Sequence, residues 1–458
     1  MFFTNLTRAI EIGANSYLLE AAEKKVVIDC GMHPKIEGDG ALPLLNLTGE
    51  NSVDAILLSH AHQDHVGSIP VLMRRHPRAA LFTTEATRQL ADVMLHNSVH
   101  VMSRRREEGG PANYPMFTHR ELDAIAKRWN SCPLHQRISI EGERLRVSEE
   151  SDMSFEFFDA GHVLGATGVL IRAEGRTVFY TGDVNFENQS ISAAARFPQE
   201  GVDVLIMETT RGDHSTAPGF TRASEAVRLA EAIGAAFERG GSVLMPLFAL
   251  GKTQELLTMF HAFRANRLLA RCPIYIGGLS TKLTELYDRL AHATPRLQPD
   301  LQILEAVAPF VISGRNAALP APGRGRIFAL SSGMMTEKTL SNSFAREIIS
   351  DPSQTMLFVG YADPNSPAGR IRAAREGDMV SLDPAQPAQP LLCHVEQFNL
   401  SGHASRESLR AFAQRLRPRK IILVHGDPPA VEWFRSTLSA DLPGTEIISP
   451  QPGVRIEL

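Results

Sequence analysis

The chain has 458 residues, more than one typical core holds, with 43% hydrophobic and 21% charged residues, the make-up of an ordinary globular protein of two domains. Its formal net charge of -4 excludes a globally basic polyanion binder, so any nucleic acid must meet a local groove. Cys30, Cys132, Cys272 and Cys393 lack paired spacing, which excludes a disulfide framework and a thiolate zinc site and suits a reducing cytoplasm; no apolar run nears the roughly 18 residues of a membrane span, and residues 1–13 hold no apolar export core.

The predicted elements begin with strands over 14–21 and 25–29. The second ends in Asp29, placed either to orient a metal-bound histidine or to cap the turn before Gly31. The apolar run 53–58 reads as a buried strand that opens into Ser59-His60-Ala61-His62-Gln63-Asp64-His65. In extended backbone His60 and His62 project to one side, while Asp64 and His65 turn to the other as a helix begins. Imidazoles and carboxylates so closely spaced form two half-sites suited to zinc. The amphipathic stretch 69–75 is a helix stopped by Pro77, with His76 as its solvated last residue. A longer helix over 85–102 carries His96 and His100 at i and i+4, a pair that packing explains, and Arg104-Arg105-Arg106 reads as a solvated helix end.

Farther on, a strand leads to Gly161-His162-Val163-Leu164-Gly165, where small residues let backbones approach and make His162 a third histidine ligand. The strand 178–181 ends in Gly182-Asp183, and the strand 202–207 delivers Glu208. Each brings one carboxylate to a strand tip, and Asp183 is the candidate bridge between metals. From about Gly212 the chain alternates helices (221–238) with strands (242–247, 273–276), the pattern of an open α/β unit. Gly251-Lys252-Thr253 is no nucleotide loop, because Pro246 stands where the first glycine belongs. Its strand, loop and helix start, and Ser331-Ser332-Gly333 after the strand 327–330, still suit phosphate, which makes Lys252, Ser331, Ser332 and Gly333 candidate RNA contacts. Pro384, Pro387 and Pro390 mark a return linker. A helix over 405–416 and a strand over 420–424 follow, and His403 and His425 repeat the strand-tip logic.

The order His60-x-His62-x-Asp64-His65, Gly161-His162-Val163-Leu164-Gly165 and Thr181-Gly182-Asp183 resembles the metallo-β-lactamase superfamily. Glu208, His403, Val424-His425-Gly426 and residues 246–256 are similar to its β-CASP branch of nucleic-acid processing nucleases, so that the likeness runs over almost the whole chain. This resemblance implies an α/β protein: an αββα sandwich made from residues 1–210 and 386–458, an α/β β-CASP domain (211–385) inserted into it, and a substrate cleft between the two. It also implies two zinc ions per chain, with His60, His62 and His162 on one, Asp64, His65 and His425 on the other, and Asp183 bridging both.

The activity to expect is that of a zinc-dependent ribonuclease in RNA processing or decay, using two metals to hydrolyse phosphodiester bonds and leave 5′-phosphate and 3′-hydroxyl ends. Asp64, His403 and Glu208 form its catalytic set. His403 is the general acid, and Glu208 holds it charged. In this branch a histidine at position 425 goes with RNA, and internal cutting is preferred here to trimming from the 5′ end. The implied partner is single-stranded RNA in the cleft, with no membrane; some relatives are homodimers. A DNA nuclease, a small-molecule metallohydrolase and an inactive RNA-binding scaffold are the alternatives. Arg211, Leu400, Asp427 and Glu337-Lys338 depart from the branch, which usually has tyrosine, phenylalanine, glutamate and glycines there.

Overall fold

Residues 1–146, 148–312 and 319–458 are described by a computed structural model, in which contacts group the chain into two units. The first holds residues 1–188, 194–216 and 403–458; the second holds 189–193 and 217–402.

In the first unit, short strands, many of them buried on both faces, form two seven-stranded sheets. One runs Arg455–Glu457, Phe2–Asn5, Tyr17–Ala21, Lys24–Ile28, Ala55–Leu57, Ala80–Thr83, Trp129–Ser131. The other runs Glu446–Ile448, Lys420–Val424, Val204–Glu208, Arg176–Tyr180, Thr167–Ala173, Met153–Asp159, Ile138–Ser139. Phe3, Val26, Ile28 and Leu57 of the first pack on Phe155, Phe157, Val178 and Ile206 of the second, so the sheets share one core. Behind the second sheet, Leu170, Phe179, Leu205 and Leu423 bury Leu409 and Phe412 of helix Arg406–Leu416 and Phe434 and Leu438 of helix Pro428–Asp441. With the helices Ile69–Arg75 and Glu85–Glu107 beside the first sheet, the layers are helix, sheet, sheet, helix, as the sequence predicts.

The second unit is built on a six-stranded sheet ordered Phe310–Ile312, Ile274–Gly277, Ile327–Leu330, Val243–Pro246, Thr355–Phe358, His394–Gln397, parallel throughout. Phe344 and Ile348 of helix Leu340–Ile348 and Ile371 of helix Pro367–Ala373 pack on one face of it, against Phe328, Met356 and Phe358. Such α/β winding leaves the loops at the carboxyl ends of the strands for ligands.

Two readings of the sequence change. His76 is not solvated: it is fully buried, its Nε2 2.8 Å from Thr48 Oγ1, because the turn Leu45–Thr48 folds over the helix end. Arg104, Arg105 and Arg106 form the largely exposed last turn of the helix Glu85–Glu107, as expected, and Thr84 caps its start, its side chain accepting the Thr87 amide. The proline-rich stretch is not where the chain returns to the first unit. That crossing falls between Gly402 and His403, rather than at 385/386, because His394–Gln397 pairs in parallel with Thr355–Phe358 as an edge strand of the second sheet. No helix of the described residues is long and apolar enough to cross a membrane.

One close approach fixes the loop that carries the histidines. A Cβ on Gly31 would lie 1.7 Å from the Asp64 carbonyl oxygen, so only glycine fits there. Gly31→Ala is expected to cost about 1–3 kcal/mol or more through overpacking. Gly234→Ala, inside helix Arg222–Glu238 with nothing within 4 Å, is expected to gain about 0.5–1 kcal/mol. Denaturant unfolding of both variants beside the parent protein checks the contrast.

Candidate metal centre

The site forms where loops leave the ends of strands in the first unit. After Ala55–Leu57 the chain passes His60 and enters the short helix Gln63–Val66 at His62, so Asp64 and His65 rotate away from the first two histidines. His162 lies in the turn between Met153–Asp159 and Thr167–Ala173, and Asp183 follows Arg176–Tyr180. Glu208 ends Val204–Glu208, and His425 follows Lys420–Val424, which pairs in parallel with it. Parallel neighbours end on one rim, and this brings side chains from residues 60 to 425 together.

Two sets of donors meet around one carboxylate. His62 Nδ1 is 3.1 Å from His60 Nε2 and 3.2 Å from His162 Nε2. Asp183 Oδ2 stands 3.5 Å from His60 Nε2 and 3.6 Å from His162 Nε2, so it faces this trio. Asp183 Oδ1 faces the other set, 3.4 Å from His65 Nε2 and 3.4 Å from His425 Nδ1. Asp64 Oδ2 completes that set, 3.4 Å from His425 Nε2 and 3.7 Å from His65 Nε2. In each of the groups His60, His62, His162, Asp183 and Asp64, His65, His425, one donor atom per residue lies within 4.8 Å of all the others.

Asp183 Oδ1 tests whether cations fit. It is buried and accepts no hydrogen bond, which costs about 1–3 kcal/mol or more for a polar atom left unpaired, and imidazole nitrogens surround it. Nitrogen and carboxylate oxygen donors converging in this way are what a borderline divalent ion such as zinc requires, so the residues fit a metal.

Behind the donors lies a net of hydrogen bonds. Asp29, fully buried and in the left-handed region at φ 54°, accepts from the Ser59 amide (2.7 Å), the Ser59 hydroxyl (2.7 Å), the Tyr180 hydroxyl (2.7 Å) and His65 Nδ1 (2.8 Å). Ser59 Oγ, its hydrogen given to Asp29, lies 3.0 Å from His60 Nδ1 and so takes that proton as acceptor. Asn15 Nδ2 reaches the Asp64 carbonyl at 3.2 Å and its Oδ2 at 3.5 Å. Burial and the neighbouring imidazoles push His60 well below the usual histidine range, and burial lowers His62. At His65 burial is outweighed by the carboxylates of Asp183, Asp64 and Asp29, which raise it to about 10.

His403 and Glu208 form a third arm. His403 Nδ1 is 3.0 Å from Glu208 Oε2 and 3.3 Å from Oε1, while its Nε2 lies 4.0 Å from Asp183 Oδ2. Glu208 is almost fully buried and also accepts the Val184 amide at 2.7 Å. Burial opposes the charges on both, but each partner's charge prevails: His403 is raised and Glu208 is lowered.

All the predicted ligands therefore meet, as do Asp29, Glu208 and His403. Lys252, Ser331, Ser332 and Gly333 belong to the second unit and follow two neighbouring parallel strands, Lys252 as the first residue of helix Lys252–Ala265 and the other three on a loop. Gly333 is tight against Phe248, where an added Cβ would be 3.1 Å from the Phe248 amide nitrogen; Lys252 Nζ donates to the Leu400 carbonyl, and Ser332 Oγ accepts the Thr336 amide at 3.2 Å. His96 and His100 meet His119 instead, His96 Nδ1 lying 2.7 Å from His119 Nδ1. Asn15, Ser59, Tyr180 and Thr210 were not foreseen as site residues. Their one cue is adjacency, since Ser59 precedes His60, Tyr180 closes the strand before Asp183 and Thr210 follows Glu208 by two.

Comparison with known proteins accords with this geometry. Residues 10–218 match the family described as "Metallo-beta-lactamase superfamily", 253–371 match "Beta-Casp domain", and 389–450 match "Zn-dependent metallo-hydrolase RNA specificity domain". The fold is that of the metallo-β-lactamase superfamily. Within it, the chain belongs to the β-CASP branch. It is 28% identical over 438 residues to "Cleavage and polyadenylation specificity factor 73" of Drosophila melanogaster (94% of this chain, 60% of that protein). To "Endoribonuclease ysh1" of Schizosaccharomyces pombe it is 28% identical over 453 residues (96% and 56%). With "Cleavage and polyadenylation specificity factor subunit 3-I" of Arabidopsis thaliana the identity is 27% over 475 residues (100% and 64%). The chain thus spans roughly three fifths of the length of these curated relatives. A crystal structure of a protein of unknown function from Enterococcus faecalis V583 shares the fold at TM-score 0.58 and 14% identity, covering 100% of this chain and 99% of that one.

Asp29→Asn tests the net directly. The change is expected to weaken metal binding at the His65 side by about 10–100-fold, read by competition with a chromogenic chelator. Leaving Ser59 and Tyr180 without their acceptor is expected to lower stability by about 1–3 kcal/mol in the metal-free protein.

Proposed function

We propose that this protein is a zinc-dependent ribonuclease that hydrolyses phosphodiester bonds of single-stranded RNA, cutting internally and leaving 5′-phosphate and 3′-hydroxyl ends. The observation that carries the reading is the division of Asp183, one oxygen toward each set of donors, with His403 and Glu208 beside it. The names of the relatives, an endoribonuclease and a cleavage factor, support RNA as substrate, and so does the match to an RNA specificity domain. His60, His62, His162 and Asp183 would hold one zinc ion, and Asp64, His65, His425 and Asp183 the second. Bound zinc supplies Lewis acidity, lowering the pKa of water towards neutrality and offsetting charge on the phosphate.

The chain's own residues do the rest. Glu208 accepts the Nδ1 proton of His403, so Nε2 is the atom presented towards Asp183 and the donor side of the site. A charged His403 gives its Nε2 proton to the departing 3′ oxygen, and Glu208 steadies the charge before transfer. Lys252 and the segment Ser331, Ser332 and Gly333 contact RNA phosphates from the second unit, at the carboxyl ends of its parallel strands. A reducing compartment such as the cytoplasm suits the four free cysteines.

The test uses one RNA labelled at either end, with 5′-hydroxyl and 5′-monophosphate forms, beside a DNA of the same sequence. Internal RNA fragments that require zinc and are independent of the 5′ group are expected. Products starting from the 5′ end would replace the cutting mode, preference for DNA would replace the substrate, and no zinc-dependent cleavage would overturn the reading. His403→Ala is expected to lose about 10²–10⁴-fold in turnover while its zinc content stays that of the parent; unchanged turnover would remove the acid role.

A further inference from the structure

Thr210 occupies a position that the mechanism above does not use. Its Oγ1 lies 2.5 Å from Glu208 Oε2, 2.8 Å from His425 Nδ1 and 3.3 Å from the His425 carbonyl oxygen. All three residues stand on the tips of two parallel neighbouring strands, where Glu208 pairs with Val424. The side chain is thus in contact at once with the partner of His403 and with a candidate metal ligand.

A hydroxyl has a single hydrogen to give, so the order of the two bonds can be worked out. Glu208 Oε1 accepts the Val184 amide at 2.7 Å, and His403 Nδ1 approaches Oε2 at 3.0 Å. Glu208 is therefore ringed by donors, and an oxygen-to-oxygen distance of 2.5 Å is that of a hydroxyl donating to a carboxylate. With the Thr210 hydrogen committed to Glu208, Oγ1 has only lone pairs for His425. At 2.8 Å the bond forms only if His425 Nδ1 carries the proton. The reverse order would set Thr210 lone pairs against Glu208 Oε2 at 2.5 Å. Nδ1 also stands 3.4 Å from Asp183 Oδ1, which accepts no hydrogen bond, so the bond at that nitrogen is the one with Thr210. Nε2 lies 3.4 Å from Asp64 Oδ2, a far longer contact than the 2.8 Å at Nδ1, so the Thr210 bond decides the tautomer and leaves Nε2 as the nitrogen facing that carboxylate.

Ser59 repeats the arrangement on the opposite side of the site. Its hydroxyl donates to Asp29 Oδ2 at 2.7 Å and faces His60 Nδ1 at 3.0 Å, which leaves His60 Nε2 towards Asp183. A carboxylate, a hydroxyl and an imidazole in that order fix the tautomer at both places.

We propose that Thr210 is a positioning residue: its hydroxyl donates to Glu208 and accepts from His425 Nδ1, so one side chain sets the metal-binding nitrogen of His425 and the orientation of the carboxylate that holds His403. This rests on the zinc ribonuclease reading for its consequence in turnover, but not for the tautomer itself.

The experiment compares the full chain with Thr210→Val, which keeps the shape and loses the hydroxyl, and Thr210→Ser, which restores it. In metal-free protein with nitrogen-15-labelled histidine, the His425 resonances, assigned by their loss in His425→Ala, are expected to report Nδ1–H in the parent and in Thr210→Ser but not in Thr210→Val. Chelator competition is expected to show about 10–100-fold weaker binding of one zinc ion in Thr210→Val and recovery to within about threefold in Thr210→Ser. Turnover is expected to fall with KM unchanged in the valine variant. Nε2–H at His425 in the parent, a valine variant with parental zinc affinity, or a serine variant as impaired as valine would each overturn the proposal. Failure of every form to cut RNA, with the tautomer and zinc results as expected, would sink the nuclease reading and leave Thr210's role standing.

Discussion

The two oxygens of Asp183 define the constraint under which this site is built. Each faces a different group of imidazoles, and neither group supplies a proton to Oδ1. Nitrogen lone pairs and carboxylates crowded at 3.1 to 3.7 Å repel one another unless a cation or a proton lies among them. The fold holds them there by rigid means: strand tips in front, and behind them the bonds that Asp29, Ser59 and Tyr180 make with each other and with His60 and His65. Preorganisation of that kind sets the geometry before any ion arrives.

The location of the site follows from strand direction. Arg176–Tyr180, Val204–Glu208 and Lys420–Val424 are consecutive parallel neighbours, so their carboxyl ends lie side by side and hand on Asp183, Thr210 and His425 to one rim. The antiparallel strands beside them contribute His162 in a turn at the same edge. Left-handed backbone at Asp29 and His425, at φ 54° and 51°, is rare for residues with a Cβ and persists where the surroundings over-determine it.

Much of this was legible in the sequence because the signals are local. His60 to His65 carry most of their ligand set within a few residues, and Asp183, Glu208 and His425 each stand directly after an apolar run that reads as a buried strand. The αββα layering was what the resemblance to the metallo-β-lactamase superfamily implied, and the change of pattern near Gly212 marked the inserted α/β unit. What was not legible depends on distant pairing. His76 looks like the end of a solvated helix until Thr48, from an earlier turn, closes over it. Prolines mark the turns near 384–390, but whether the following strand belongs to one sheet or the other is decided by Thr355 finding His394. Tyr180 and Thr210 are common residue types whose importance lies in contacts across 151 and 215 positions, to Asp29 and His425.

The strand pairing of the first unit has a further consequence for how the protein comes into being. Phe2–Asn5 lies between Tyr17–Ala21 and Arg455–Glu457, so its sheet is completed only when segments far apart in the chain meet. Residues 60–208 hold every candidate ligand except His425, and that donor joins them only when Lys420–Val424 pairs beside Val204–Glu208. Because pairing of this kind is non-local, the first unit is expected to fold slowly for its size.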